Sequence, residues 1–180
     1  MNTKPIHRTK WFWGWQDDKE EAWLQEMARQ GLHLKSPGLG SYTFTQGEPR
    51  EMVYRLDFLN DAKNRASYLQ LFQDAGWEHV GELSGWHYWR KARSGTENDE
   101  IFTDADSKIQ KYRRLINYLL VTLPIYIPMY IVVINRKTGI IETIVLVAML
   151  LILALYGFFF IKLQQRINQL KTQSLCSKEE

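Results

Sequence analysis

Two apolar runs constrain this chain more than any other feature. From Leu115 to Ile134 the sequence carries no formal charge, and from Ile140 to Ile161 the only formally charged residue is Glu142. At 1.5 Å rise per residue, the first run makes a helix about 30 Å long, the thickness of a bilayer's hydrocarbon core. Between them lies the polar stretch Asn135-Arg136-Lys137-Thr138-Gly139, short enough that the two helices return antiparallel. Two helices apolar on all sides would need a large soluble protein around them, and residues 1–93 are too few to supply it. The reading is a transmembrane helical hairpin over 111–164, with spans 115–134 and 140–161.

Charge placement orients that hairpin. Of 23 Lys and Arg and 20 Asp and Glu, only Arg136, Lys137 and Glu142 fall between Leu115 and Ile161. The flanks hold Lys108, Lys111, Arg113 and Arg114 on one side and Lys162, Arg166, Lys171 and Lys178 on the other. Cationic flanks stay in the cytoplasm, so both termini are expected there and only the turn outside. The opening MNTKPIHRTK has no apolar segment of the kind a cleaved signal needs. With a net charge of +3 and both signs mixed through the rest of the chain, the composition excludes a strongly basic nucleic-acid binder and a disordered chain. The single Cys176 excludes a disulfide framework and a Cys-based zinc knuckle.

Residues 1–93 read as an α+β domain built twice, about 9–46 and 50–92. Trp11, Trp13 and Trp15 alternate with Lys10, Phe12 and Gly14 as a strand does. Asp17 then caps a helix, with Glu20 completing a capping box. Trp23, Leu24, Met27 and Ala28 form its apolar stripe and Gly31 stops it; strands follow near 32–35 and 41–45. The same series recurs: a strand with Met52, Tyr54, Leu56 and Phe58, a helix capped by Asn60-Asp61 with Leu69, Phe72 and Ala75 on its apolar face, a stop at Gly76, and strands near 77–83 and 86–91. A shift of 45 positions lays Trp23 on Tyr68, Leu24 on Leu69, Met27 on Phe72, Gly31 on Gly76, Gly40 on Gly85 and Phe44 on Trp89. Coincident glycine punctuation marks a tandem strand-helix-strand-strand repeat, expected to form one antiparallel sheet with both helices on one face. A polar linker, 94–110, and a tail, 165–180, complete the chain.

All seven Trp residues precede position 90, and the strand Trp86-His87-Tyr88-Trp89 sends bulky groups to both faces. That surplus calls for a cover: a ligand, a protein partner or the membrane surface. Trp13, Trp15, Tyr54, Asp57, Trp77, His87 and Trp89 are the candidate contacts. Glu20, Arg55, His79 and Arg90 are further polar groups of the region, Glu20 read as a helix cap and Arg55 with Asp57 as an ion pair on one strand face. His33, His79 and His87 lack metal-ligand spacing. The chain carries no P-loop, dinucleotide fingerprint, nucleophile elbow or Cys-x-x-Cys, and the expectation is a non-enzyme without cofactor or metal.

The element order resembles the paired strand-helix-strand-strand modules of the gyrase-inhibitor-like and SOUL ligand-binding domains, which implies a small-molecule cavity between the repeats. The segments EEAWL, ARQGLHL, VYRLDF, DAGWEHV and WHYWRK, within residues 9–92, resemble the bacterial membrane family catalogued as domain-of-unknown-function 2812. That resemblance implies a membrane protein often accompanied by a PadR-like transcription regulator, and hence regulation or envelope-stress sensing. The functional expectation is a membrane-anchored cytoplasmic sensory or regulatory module that recognises a small apolar ligand or a regulatory protein. Its alternative is a structural accessory subunit of a membrane transporter or stress complex. The expected partners are the lipid bilayer, a membrane or regulatory protein and a second copy of the chain, with no nucleic acid.

Overall fold

The computed structural model describes residues 4–60, 63–93, 105–128, 131 and 139–176. The chain divides into two compact units, Met1–Ser107 and Lys108–Glu180. The first unit runs β1 (Ile6–Thr9), α1 (Asp17–Arg29), β2 (Leu32–Ser36), β3 (Ser41–Gln46), β4 (Met52–Phe58), α2 (Arg65–Asp74), β5 (Glu78–Leu83) and β6 (Trp86–Ala92). It is a mixed α+β fold with two antiparallel three-stranded sheets, ordered β1-β3-β2 and β4-β6-β5. Each half is therefore a hairpin whose second strand also pairs with the strand before the helix. The four glycines aligned by the 45-residue shift are the glycines with positive φ among the described residues: Gly31 at 79°, Gly76 at 81°, Gly40 at 65° and Gly85 at 85°. The aligned Phe44 and Trp89 are both fully buried on the central strands.

The single continuous sheet with both helices on one face is corrected. β2 and β5 approach each other, yet no ladder joins them and the two sheets stay separate; each strand also carries a register irregularity against its own partner, between Leu34 and Ser36 and between His79 and Gly81. Side chains close the seam instead. The Leu34 amide donates to the Tyr54 hydroxyl at 3.3 Å, and Arg90 Nη1 donates to the Leu34 carbonyl at 3.1 Å. On the far edge, the Leu56 amide of β4 donates to Glu21 Oε1 of α1 at 2.8 Å. Edge-strand groups are thus satisfied across the repeats without strand pairing.

The helices cover different cores. Leu24 and Ala28 of α1 join Leu32, Leu34, Tyr42, Phe44, Tyr54, Leu56 and Tyr88 in one buried cluster. Phe72 of α2 joins Val53, Trp77 and Trp89 in another. Alternation along β4 and β6 explains the split: even-numbered Tyr54, Leu56 and Tyr88 face the first cluster, odd-numbered Val53 and Trp89 the second. The aromatic surplus of β6 is therefore covered by the chain itself.

Local details differ from expectation in three places. Residues 11–15 form no strand; β1 lies earlier, and a turn closed by the Gln16 amide on the Trp13 carbonyl at 2.7 Å follows it. The helix α1 begins after Gln16 with no side-chain cap, so Asp17 and Glu20 form no capping box. In α2 the N-cap position is Asn64, Ala75 is exposed and Asp61 lies outside the described residues.

α3 (Ala105–Thr122) begins at the end of the first unit and runs into the second, which goes on with a 3-10 turn (Leu123–Ile125) and α4 (Ile140–Cys176). α3 starts within the stretch read as linker, and the α-helix gives way where Pro124 removes a backbone donor. Arg166 Nε donates to the Tyr112 hydroxyl at 3.3 Å, and the hydroxyls of Thr122 and Tyr156 lie 3.2 Å apart. The descending partner numbers show that α3 and α4 run antiparallel. Among the described residues one helix, Ile140–Ser174, is long and apolar enough to cross a membrane, and little of its most apolar stretch is buried. Only part of the expected first span is described: residues 129–130 and 132–134 lie outside, and the described part is broken at Leu123–Ile125. Two helices each fit to cross a membrane are thus not what the described residues contain, and the two-helix transmembrane hairpin reduces to one candidate helix.

Candidate functional site

The first repeat ends at Gln46 and the second begins at Met52. The crossing segment is pinned by backbone bonds from Gly47 to the Gly31 carbonyl at 2.8 Å and from Arg50 to the Ala28 carbonyl at 3.1 Å. Gly31 is obligatory here. Its φ is 79°, and a Cβ would stand 2.6 Å from the Gly47 carbonyl oxygen. Under this crossing opens a groove of about 370 Å³, whose polar lining includes His33, Glu48, Arg50, Glu78 and Arg90, with Met52 at its side.

The groove carries both signs of charge. Arg90 Nε donates to Glu78 Oε2 at 2.7 Å while Nη2 holds the other carboxylate oxygen. This bidentate geometry fixes both side chains. The guanidinium holds the Glu78 carboxyl below the ordinary carboxylate range, and the carboxylate in turn pushes Arg90 up. His33 Nε2 lies 2.8 Å from the Glu48 carbonyl oxygen, and Arg50 is 3.6 Å from the Glu48 carboxylate. Burial pushes the Tyr54 phenol up, so it stays protonated beside Arg90. These pairings hold the polar side chains of the groove in place.

Two buried polar clusters flank the groove's supporting strands. In the first, Tyr42 of β3 and Tyr88 of β6 both donate to Glu20 Oε1, each at 2.7 Å. One carboxylate of α1 therefore ties together strands of both repeats. Burial pushes the Glu20 carboxyl up, partly offset by the two phenols. In the second, Tyr68 donates to Asp57 Oδ2 at 3.0 Å, and Trp89 Nε1 donates to the Tyr68 hydroxyl at 3.3 Å. His79 Nε2 and His87 Nδ1 stand 3.2 Å apart. Burial holds both imidazoles below their usual pKa, and each also feels Arg65 and Glu82.

Of the candidate contacts read from sequence, the structure gathers Asp57, Trp77, His87 and Trp89 under α2, all nearly fully buried. Tyr54 lies in the other core, at the edge of the groove by way of Arg90. Trp13 and Trp15 stack on the loop before α1, with centroids 5.4 Å apart. Arg55 meets Glu21 at 3.5 Å, and Asp57 takes Tyr68. Sequence reasoning missed Glu48, Arg50 and Glu78, set His33 aside for want of metal-ligand spacing and gave Glu20 a capping role. The signal available was the alternation of β5 and β6, which sets Glu78 opposite Arg90. No group of three or more His, Cys, Asp or Glu able to hold a metal occurs among the described residues.

The sequence model of a family described as a protein of unknown function, DUF2812, matches residues 16–123. The chain belongs to the DUF2812 family. The match reaches beyond the segments that suggested it, crossing residues 94–104 and taking in α3, so DUF2812 spans both the head and the start of the helical unit. No curated protein and no solved structure matches the chain.

Proposed function

We propose that this DUF2812 protein is a membrane-anchored cytoplasmic binding module of regulatory type. Its head receives a small polar ligand, or a charged segment of a regulatory protein, in the groove at the junction of the repeats. The observation that carries the reading is the charge-lined opening of about 370 Å³ built on side chains from both repeats. Polar chemistry replaces the apolar ligand expected from the aromatics because Leu34, Phe44, Tyr54 and Tyr88, from both sheets, pack with α1 into one filled core. Arg50 and Arg90 suit a carboxylate or phosphate, and Glu48 and Glu78 an amine, so a zwitterion or a mixed-charge peptide fits best. Anchorage is supported by α4, whose Ile144, Leu151 and Phe158 are exposed, and by the cationic flanks of the apolar runs. In this reading the first run completes a second span and both termini lie in the cytoplasm of a bacterial cell.

Thermal-shift and calorimetric screening of the full chain in nanodiscs, against zwitterionic metabolites and mixed-charge peptides, tests the groove. A binder should lose at least tenfold in affinity with Arg90→Gln and Glu78→Gln. A binder indifferent to both substitutions, or a screen without hits, would sink it. Reporter fusions at each terminus should be active on the cytoplasmic side only.

A second reading, an accessory subunit, draws on an apolar groove of about 200 Å³ lined by Leu123, Tyr126, Ile127, Met149, Leu150 and Leu153. A side chain from a partner's helix fits such a groove. Filling it with Leu153→Trp should then reduce recovery of a membrane partner from detergent extracts, and unchanged recovery would count against this reading.

A further inference from the structure

The loop between β1 and α1 gathers three indoles into one surface cluster. Trp11 is 53% exposed and Trp13 37%. Trp13 stacks on Trp15 with rings 5.4 Å apart and 1° from parallel, and Trp11 meets Trp13 edge-on at 5.7 Å. The cluster is held in place: the Trp13 amide donates to Gln16 Oε1 at 3.2 Å, and the Lys10 amide to the Gly40 carbonyl at 3.1 Å. Next to Gly40, Leu39 is 74% exposed. Under the 45-residue shift Trp11, Trp13 and Trp15 fall on Leu56, Phe58 and Asn60, so the second repeat carries no matching indole cluster.

Charge selects the occupant. Before Asp17 the chain holds Lys4, His7, Arg8 and Lys10 and no acidic residue. Indoles settle at the level of lipid headgroups, and clustered Lys and Arg are drawn to anionic leaflets. The first strand ends where the indoles begin, so cations and rings occupy one continuous segment. We infer that the Trp11-Trp13-Trp15 loop, with Leu39 and the flanking cations, docks the head onto an anionic bilayer surface.

The proposal rests on the membrane anchorage proposed above, and one experiment separates the two. All seven Trp residues lie in the head, so quenching of intrinsic fluorescence by lipids brominated near the headgroup reports the head alone. The full chain is reconstituted into vesicles of phosphatidylcholine with or without phosphatidylglycerol, and flotation is measured first. Flotation together with strong quenching on anionic vesicles, at least halved on pure phosphatidylcholine and in high salt, is the expected result. The Trp11→Ala/Trp13→Ala/Trp15→Ala variant should lose most of that quenching while still floating. Leu39→Glu, which touches no core, should at least halve it and serves if the triple variant misfolds. Flotation without quenching, or quenching equal in the wild type and Leu39→Glu, overturns docking and leaves anchorage standing. Failure to float overturns both.

Discussion

Glu20 accepts two phenolic hydroxyls on one oxygen in a buried setting. Because burial raises its folded pKa above the ordinary 4.5, its contribution to stability is complete below that value and is lost as pH rises through the folded pKa. Glu20→Gln keeps an acceptor for Tyr42 and Tyr88 and removes the buried charge, so its melting temperature should exceed the wild type's at pH 8. The advantage should shrink toward pH 4, as denaturation curves at the two pH values would show. Glu20→Ala leaves both hydroxyls without their acceptor and should cost about 2–4 kcal/mol. His79 and His87 act in the opposite sense. Their folded pKa values lie below 6.5, so the unfolded chain binds more protons and stability falls as pH drops below about 6.5. The groups facing this pair are Arg65 and Tyr68 from α2, Glu82 from β5, Asp57 from β4 and Trp89 from β6. His87→Gln should flatten the acid limb of a stability-pH profile, and an unchanged limb would remove the pair from the account.

At the scale of elements, the aligned glycines make a sharper test of the repeat than sequence similarity does. Gly31 and Gly76 share a left-handed backbone that costs a side chain about 1–2 kcal/mol, but their surroundings differ. A Cβ on Gly76 meets nothing nearer than Lys91 at 3.7 Å, whereas one on Gly31 lands 2.6 Å from the Gly47 carbonyl. Urea denaturation should therefore show Gly31→Ala clearly more destabilised than Gly76→Ala, with the latter confined to the backbone penalty. These glycines were legible because punctuation is local chemistry. β1 was not: Trp11, Trp13 and Trp15 mimic strand alternation although the segment turns, and only pairing of Ile6 with Phe44 places the strand earlier. α2 was legible in outline only, since tertiary contact selects Phe72 as its buried residue.

For the whole molecule, the sequence read well where a property summed over many residues and poorly where one contact decides. The apolar content of α4 is such a sum. If this helix crosses a bilayer, Leu151→Arg near its middle faces an insertion cost of about 2.5–3.5 kcal/mol. That change should move the chain out of the alkali-washed membrane fraction, whereas Leu39→Arg in the head should not. The division into two sheets, by contrast, depends on whether β2 and β5 pair, which no periodicity reveals. The groove was equally hidden, because Glu48 and Arg50 acquire a role only when the crossing segment folds over Gly31. Glu21 of the first repeat satisfies the Leu56 amide of the second, as Glu20 satisfies Tyr88. Severed from its sibling, either half would expose acceptors or donors that only the other can quench, so the two copies now form an interlocked pair and are no longer interchangeable parts.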